Sequence, residues 1–193
     1  MRKQGSLLTA LVAASVALLA ACVPAPAPTT TTTTTTTVAP VDCTARGPGV
    51  DLQGCDLSRA DLTGFDLTGA NLQGADLQGA TLTNANLTDA NLIATRLTAA
   101  DLRGANLTNA DLINASLLIA NLTGATLYAA NLRGADLYLA NLTDANLTNA
   151  DLTEAKLYAA DLTGADLTGV IWSNTQCPNA VVQSTQCPRT SAG

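Results

Sequence analysis

The sequence predicts an all-β fold of the solenoid kind, and three observations predict it. Leucine stands at every fifth position from Leu52 to Leu167, twenty-four times without a gap. Alanine stands two residues before nearly all of these leucines. The last position of each five is rich in residues that accept turn geometry, as at Gly54, Gly64, Gly74, Asn84, Gly104, Asn109, Gly124 and Gly164. A period of five fits neither the helix period of about 3.6 nor the flat-strand period of about 2.0, so it specifies an architecture of its own. Alternate residues of a strand share a face, so each alanine and its leucine point inward together and their neighbours point outward. Five is odd, and the next alanine faces inward only if the chain turns once per repeat.

The elements follow in chain order. Met1-Arg2-Lys3 is basic, and an apolar stretch from Leu7 to Ala21 follows it. Residues 1–21 are therefore expected to be a signal peptide, too short to span a bilayer. Leu19-Ala20-Ala21-Cys22 resembles the bacterial lipobox. That resemblance implies an acylated Cys22 as the first mature residue, holding the protein to the bacterial membrane on its extracytoplasmic side; the alternative is an ordinary signal peptide with a chance cysteine. Residues 22–41 combine Val-Pro-Ala-Pro-Ala-Pro with nine threonines, Thr29 to Thr37, and lack the apolar bulk for a core. They read as a disordered tether that extends roughly 60 Å in polyproline geometry.

With Cys22 set aside for lipid, four cysteines remain, and an even number in an exported chain favours disulfides. Cys43 lies in the segment 42–49, expected to cap the start of the repeats, and Cys55 lies near the start of the repeats themselves. Cys177 and Cys187 lie in the C-terminal cap and tail, 170–193. Local pairing, Cys43 with Cys55 and Cys177 with Cys187, is preferred among three connectivities. A zinc site is set aside because the pairs sit at opposite ends of the repeats and the chain has no histidine. Trp172 stands where a twenty-fifth leucine would fall and is read as an end cap on the leucine column, with a ligand-stacking tryptophan as the alternative.

Ala60-Asp61-Leu62, Ala70-Asn71-Leu72, Ala105-Asn106-Leu107 and Ala165-Asp166-Leu167 spell the motif A-[D/N]-L-x-x. In this the chain resembles the pentapeptide-repeat family over about 120 residues, 50–169. The resemblance implies a right-handed quadrilateral β-helix with twenty residues per coil and about six coils. At the alanine position Val50, Cys55, Phe65, Thr95 and Val170 depart from the pattern. Phe65 needs extra room in the first coil, and Thr95 must find a hydrogen bond inside or turn outward.

Twenty residues per coil place residues that differ by 20 in one column. Most outer columns carry threonine, as a solvated β surface prefers. One column instead stacks Leu118, Tyr138 and Tyr158, with Ile119 and Leu139 at the adjacent corner, and Ile93 and Ile113 stack on the neighbouring side. These positions are expected to be exposed and to form an apolar patch for a protein partner or for self-association. The alternative is that the C-terminal tail folds back over them.

Removing Arg2 and Lys3 leaves 7 of the 9 basic residues against 15 acids, a net charge of −8, which argues against direct nucleic-acid binding. Some members of the resembled family are thought to imitate DNA and protect gyrase. Here Asp51, Asp56, Asp61 and Asp66 ring the first coil, no acidic stripe follows, and export separates the protein from a cytoplasmic topoisomerase. With no histidine, one glutamate (Glu154) and no phosphate-binding glycine loop, the chain is not expected to be an enzyme or to use a cofactor, metal or small-molecule substrate. A third class, ice adsorption through threonine columns, is weak because Thr81-Leu82-Thr83 has no repeated counterpart. The Asn-Leu-Thr triplets match the N-glycosylation acceptor and are read as coincidences of the repeat.

Overall fold

The repeats dispose of their backbone donors by one shared pattern. Counting the alanine as position one, the second-position N–H donates to the first-position carbonyl of the preceding coil, as Asn71 does to Val50 at 2.9 Å. The leucine N–H donates to the second-position carbonyl of the next coil, Leu52 to Asn71 at 2.7 Å, and the corner N–H to the fourth-position carbonyl, Gly54 to Gln73 at 2.9 Å. The first-position N–H closes a β-turn onto the leucine carbonyl three residues back, Cys55 to Leu52 at 3.1 Å. The donor that remains, on the fourth residue, is taken by a side chain wherever the second residue is Asp or Asn, which is everywhere from Asp51 to Asp166 except Thr81, Arg96, Ser116, Thr126 and Lys156. Thr63 N–H donates to Asp61 Oδ1 at 3.0 Å, and Thr148 N–H to Asn146 Oδ1 at 3.0 Å.

The second-position Asp and Asn therefore do more than face water. In their repeats they are the acceptors that the fourth-position backbone donor uses. Where the fourth residue is threonine, its hydroxyl often donates to the same oxygen, as Thr148 does to Asn146 Oδ1 at 2.6 Å.

The computed structural model describes residues 41–179, 182–183 and 185–187, all in the unit Ala39–Gly193. The signal peptide, Cys22, residues 22–40 of the tether and the tail beyond Cys187 fall outside these. Parallel bridges join each second-position residue to the one twenty ahead, as in the column Asp51, Asn71, Asn91, Asp111, Asn131, Asp151 and Ile171. Each corner residue from Gly54 to Asn174 has positive φ, so the chain turns every five residues and four sides close one coil. The sign pattern is that of a type II turn, with the left-handed residue third. Turns this frequent leave one bridged residue per side. Consequently the described strands are only β1 (Thr175–Gln176) and β2 (Val182–Gln183), an antiparallel pair with Thr175 opposite Gln183.

The core is the inward column of leucine and alanine. Leu62 to Leu162 are all fully buried, and only Leu57 and Leu167, at the ends, retain any exposure, 4% each. Thr95 is accommodated inside: it is fully buried, and its hydroxyl donates to Leu72 O at 2.7 Å. Thr175 repeats this device with Leu152 O at 2.7 Å. Phe65 does not find room inside. It is 38% exposed, because the interior at the first position fits a methyl group and the first coil lacks a full coil beneath it.

Both ends carry a disulfide, Cys43 with Cys55 and Cys177 with Cys187, with Cα atoms 5.5 and 5.4 Å apart. The repeating geometry runs past Gly169, since Asp151 bridges Ile171 and Lys156 bridges Gln176. Trp172, 8% exposed, and Cys177, fully buried, occupy successive leucine places in this extension. Ahead of the first coil the leucine place falls to Gly47, so no apolar side chain extends the column there.

Candidate interaction face

The four sides differ in charge. Side 1 (50–54 and every twenty residues on) carries Asp51, Asp111, Asp151 and Glu154 against Arg133; side 3 (60–64 and on) carries Asp61, Asp101, Asp144 and Asp161 against Arg103. Side 4 (65–69 and on) carries Asp66, Asp89 and Asp166 with no base. Each sums to −3. Side 2 (55–59 and on) balances Asp56, Asp76 and Asp136 with Arg59, Arg96 and Lys156, a net charge of zero.

Side 2 is also the apolar side. Ile119 is 49%, Tyr138 38%, Leu139 47% and Tyr158 40% exposed, and Leu118 beside them is half-buried. The Tyr138 and Tyr158 rings stack with centroids 5.5 Å apart and planes 19° apart. Their faces are therefore turned toward each other and their edges outward, which suits packing against a partner better than stacking on a flat ligand. Both tyrosines keep over a third of their surface exposed. Ile93 and Ile113 differ from the expectation of exposure: both lie on side 1 and are half-buried, with their N–H groups donating to Asn91 Oδ1 and Asp111 Oδ1 at 3.1 and 3.2 Å. Tyr128, 43% exposed, is on side 4, opposite the patch, with its hydroxyl 3.4 Å from Asn149 Nδ2.

Two corners of the patch hold costly backbone. Ile119 has φ 52° and Leu139 φ 56°, where the other corners have glycine, asparagine, aspartate or alanine, apart from the charged Arg59 and Glu154. Left-handed backbone disfavours L-residues by about 1–2 kcal/mol, and a β-branched side chain there is a genuine outlier. Backbone cost retained where the side chain is half exposed points to a use for that side chain.

Charge along the columns is arranged to avoid contact. Of the bridged pairs only Asp56 and Asp76 stack aspartate on aspartate, and Arg96 stands next in that column, 2.9 Å from Asp76. Elsewhere asparagine or threonine intervenes, and Asn71 Nδ2 donates to Asp51 Oδ1 at 2.9 Å. The second-position carboxylates Asp56, Asp61, Asp66 and Asp161 are held below the usual carboxylate range, first by the side-chain hydroxyl two residues on and then by its N–H. Arg103 with Asp101 at 2.6 Å and Arg133 with Asp151 at 3.4 Å are exposed pairs of little energetic weight. Among the described residues no group of three His, Cys, Asp or Glu is placed to hold a metal, and no helix is long and apolar enough to cross a membrane. A hollow of about 400 Å³ opens on side 2 between Arg59, Asp76, Gln78 and Ala99, where the corner column drops from Arg59 to Gly79.

The sequence profile described as pentapeptide repeats matches residues 49–84, 85–117 and 120–157. No curated protein matches the chain. Among solved structures it is similar to a pentapeptide repeat protein from the cyanobacterium Cyanothece 51142, at 42% identity, covering 47% of this chain and 58% of that one with a TM-score of 0.37. A pentapeptide repeat protein of the Arabidopsis thaliana thylakoid lumen is 36% identical over 59% of this chain and 69% of its own, with a TM-score of 0.39. One from Nostoc Pcc 7120 is 35% identical over 47% of this chain and 77% of its own, with a TM-score of 0.41. The chain thus spans less than two thirds of the Cyanothece protein's length. With the five-residue motif, the twenty-residue coil and the matched segments in agreement, this chain belongs to the pentapeptide repeat family.

Proposed function

We infer that the protein is a non-enzymatic cell-envelope lipoprotein whose rod is a scaffold that presents a protein-interaction surface. In this reading the rod is a right-handed, four-sided β-helix of about six coils, raised from the bilayer by residues 22–41 and anchored through acylated Cys22. The observation that carries the interaction role is the neutral, apolar side 2 on a rod whose other sides are acidic. The basic start, apolar stretch and Leu19-Ala20-Ala21-Cys22 support export and lipidation. The absence of histidine and the use of the aspartates in turn geometry speak against catalysis. A net negative rod speaks against direct nucleic-acid binding.

The test is photo-crosslinking on intact cells from a probe beside Tyr138, in the parent and in a Leu118→Asp, Tyr158→Asp variant. A discrete product formed only by the parent is expected. Identical labelling in both removes the interaction role. Fractionation of Cys22→Ala cells tests the anchor: the variant is expected to leave the membrane fraction, and equal membrane association refutes lipidation.

A further inference from the structure

We propose that the occupant of side 2 is a second copy of this chain, packed parallel to the first about a twofold axis that runs along the rods. This rests on the interaction role inferred above and names its partner.

Charge selects the side. Two copies meeting through side 1, 3 or 4 would bring net charges of −3 together, whereas side 2 is neutral and presents Ile119, Leu139 and the stacked Tyr138 and Tyr158. The ends are closed to stacking. The first coil presents Asp51, Asp56, Asp61 and Asp66 around its edge, and the Cys43–Cys55 segment precedes it. At the other end Trp172, Cys177 and the β1–β2 pair extend and close the column. Lateral pairing is what remains.

Orientation follows from the patch being off-centre. Tyr138 and Tyr158 lie in the later coils, so an antiparallel pair that matched patch to patch would leave the early coils overhanging. A parallel pair matches the patch along its length and sets the corner Arg59 of one copy across from the second-position Asp56 of the other, opposite charges at one level. The area is modest. A side about 10 Å wide and about 29 Å tall, from extended steps of about 3.3 Å and coil spacing of about 4.8 Å, offers about 300 Å². A stable complex uses roughly 800 Å² per partner, so the pairing is weak and depends on local concentration.

Single cysteines in the full chain, oxidised in intact cells, test this. Gln78 on side 2 and Gln73 on side 1 are both exposed and lie in the same coil. A parallel twofold pair brings Gln78 near its own counterpart and keeps Gln73 apart. Gln78→Cys is expected to give at least tenfold more covalent dimer than Gln73→Cys, and adding Leu118→Asp with Tyr158→Asp to Gln78→Cys is expected to reduce it to the Gln73→Cys level. Equal dimer from both positions, or Gln78→Cys dimer that survives the two aspartates, overturns the proposal. Capture of a different protein beside Tyr138 without Gln78→Cys dimer also overturns self-pairing, while leaving the interaction role of side 2 intact.

Discussion

Ala94→Gly is expected to stabilise this protein, although glycine ordinarily weakens a regular element. Ala94 is an exposed corner residue with φ 54°, and its neighbours in the corner column are Gly74 and Asn114. Left-handed backbone costs an L-residue about 1–2 kcal/mol, and glycine brings an entropic penalty of about 0.5–1 kcal/mol. The difference leaves a net gain of about 0.5–1 kcal/mol. The reverse exchange, Gly124→Ala, should lose about as much: Gly124 has φ 65°, and a Cβ there meets nothing within 4 Å, so the cost is purely conformational. Gly104→Ala should lose more, because its Cβ would lie 2.5 Å from Asn84 Oδ1 and that side chain has to move. Urea unfolding of the purified chain followed by circular dichroism measures all three, as shifts in midpoint at constant slope. A lowered midpoint for Ala94→Gly, or an unmoved one for Gly124→Ala, refutes the assignment of the strain to the corners.

Leu107→Ala, at a fully buried mid-rod leucine, is expected to lower stability by about 3–5 kcal/mol in the same assay, since neighbouring coils hold the cavity open. Asn146→Ala removes the acceptor of both the Thr148 N–H and its hydroxyl and should cost about 1–3 kcal/mol. Asn146→Asp keeps that acceptor but bridges to Asp166, so its smaller loss should shrink as salt is added. Acid titration followed by circular dichroism should show the effect of the lowered carboxylates Asp56, Asp61, Asp66 and Asp161. Their contribution is fully present above the unfolded value of about 3.9 and is lost as pH falls through the lower folded values; a chain indifferent to acid in that window contradicts the hydrogen bonds assigned to them.

The coil was legible because its causes are local and repeated. Leucine every five residues, alanine two before and turn residues at the fifth place define an inside, an outside and a corner, and the twenty-residue columns follow once four corners close a turn. The role of Asp61 or Asn146 was hidden because an outward polar residue looks the same in sequence whether it faces water or accepts the N–H two residues on; the recurring Asp-Leu-Thr and Asn-Leu-Thr triplets were the available signal. Phe65 and Thr95 occupy equivalent places and part company for reasons of position. Thr95 is within the stack and reaches the Leu72 carbonyl, whereas Phe65 sits in the first coil and swings out. In the candidate site, Tyr138, Tyr158, Ile119 and Leu139 were placed by column arithmetic, but the half-burial of Ile93 and Ile113 was not, because the column spacing says which side chains are neighbours and not how far each leans on the next. The neutrality of side 2 could have been counted from the columns alone.

The ladder of bridges between residues twenty apart gives this gene a grammar for insertions and deletions. Loss of four repeats shortens the rod and returns every later residue to its old side. Loss of one repeat, for example 91–95, turns everything after it by a quarter relative to what came before, moving Tyr138 and Tyr158 out of line with Arg59 and seating Asp101 over Asp76. Length can thus drift freely only in steps of a full circuit, and a five-residue slip that leaves each repeat perfect would still scramble the surface.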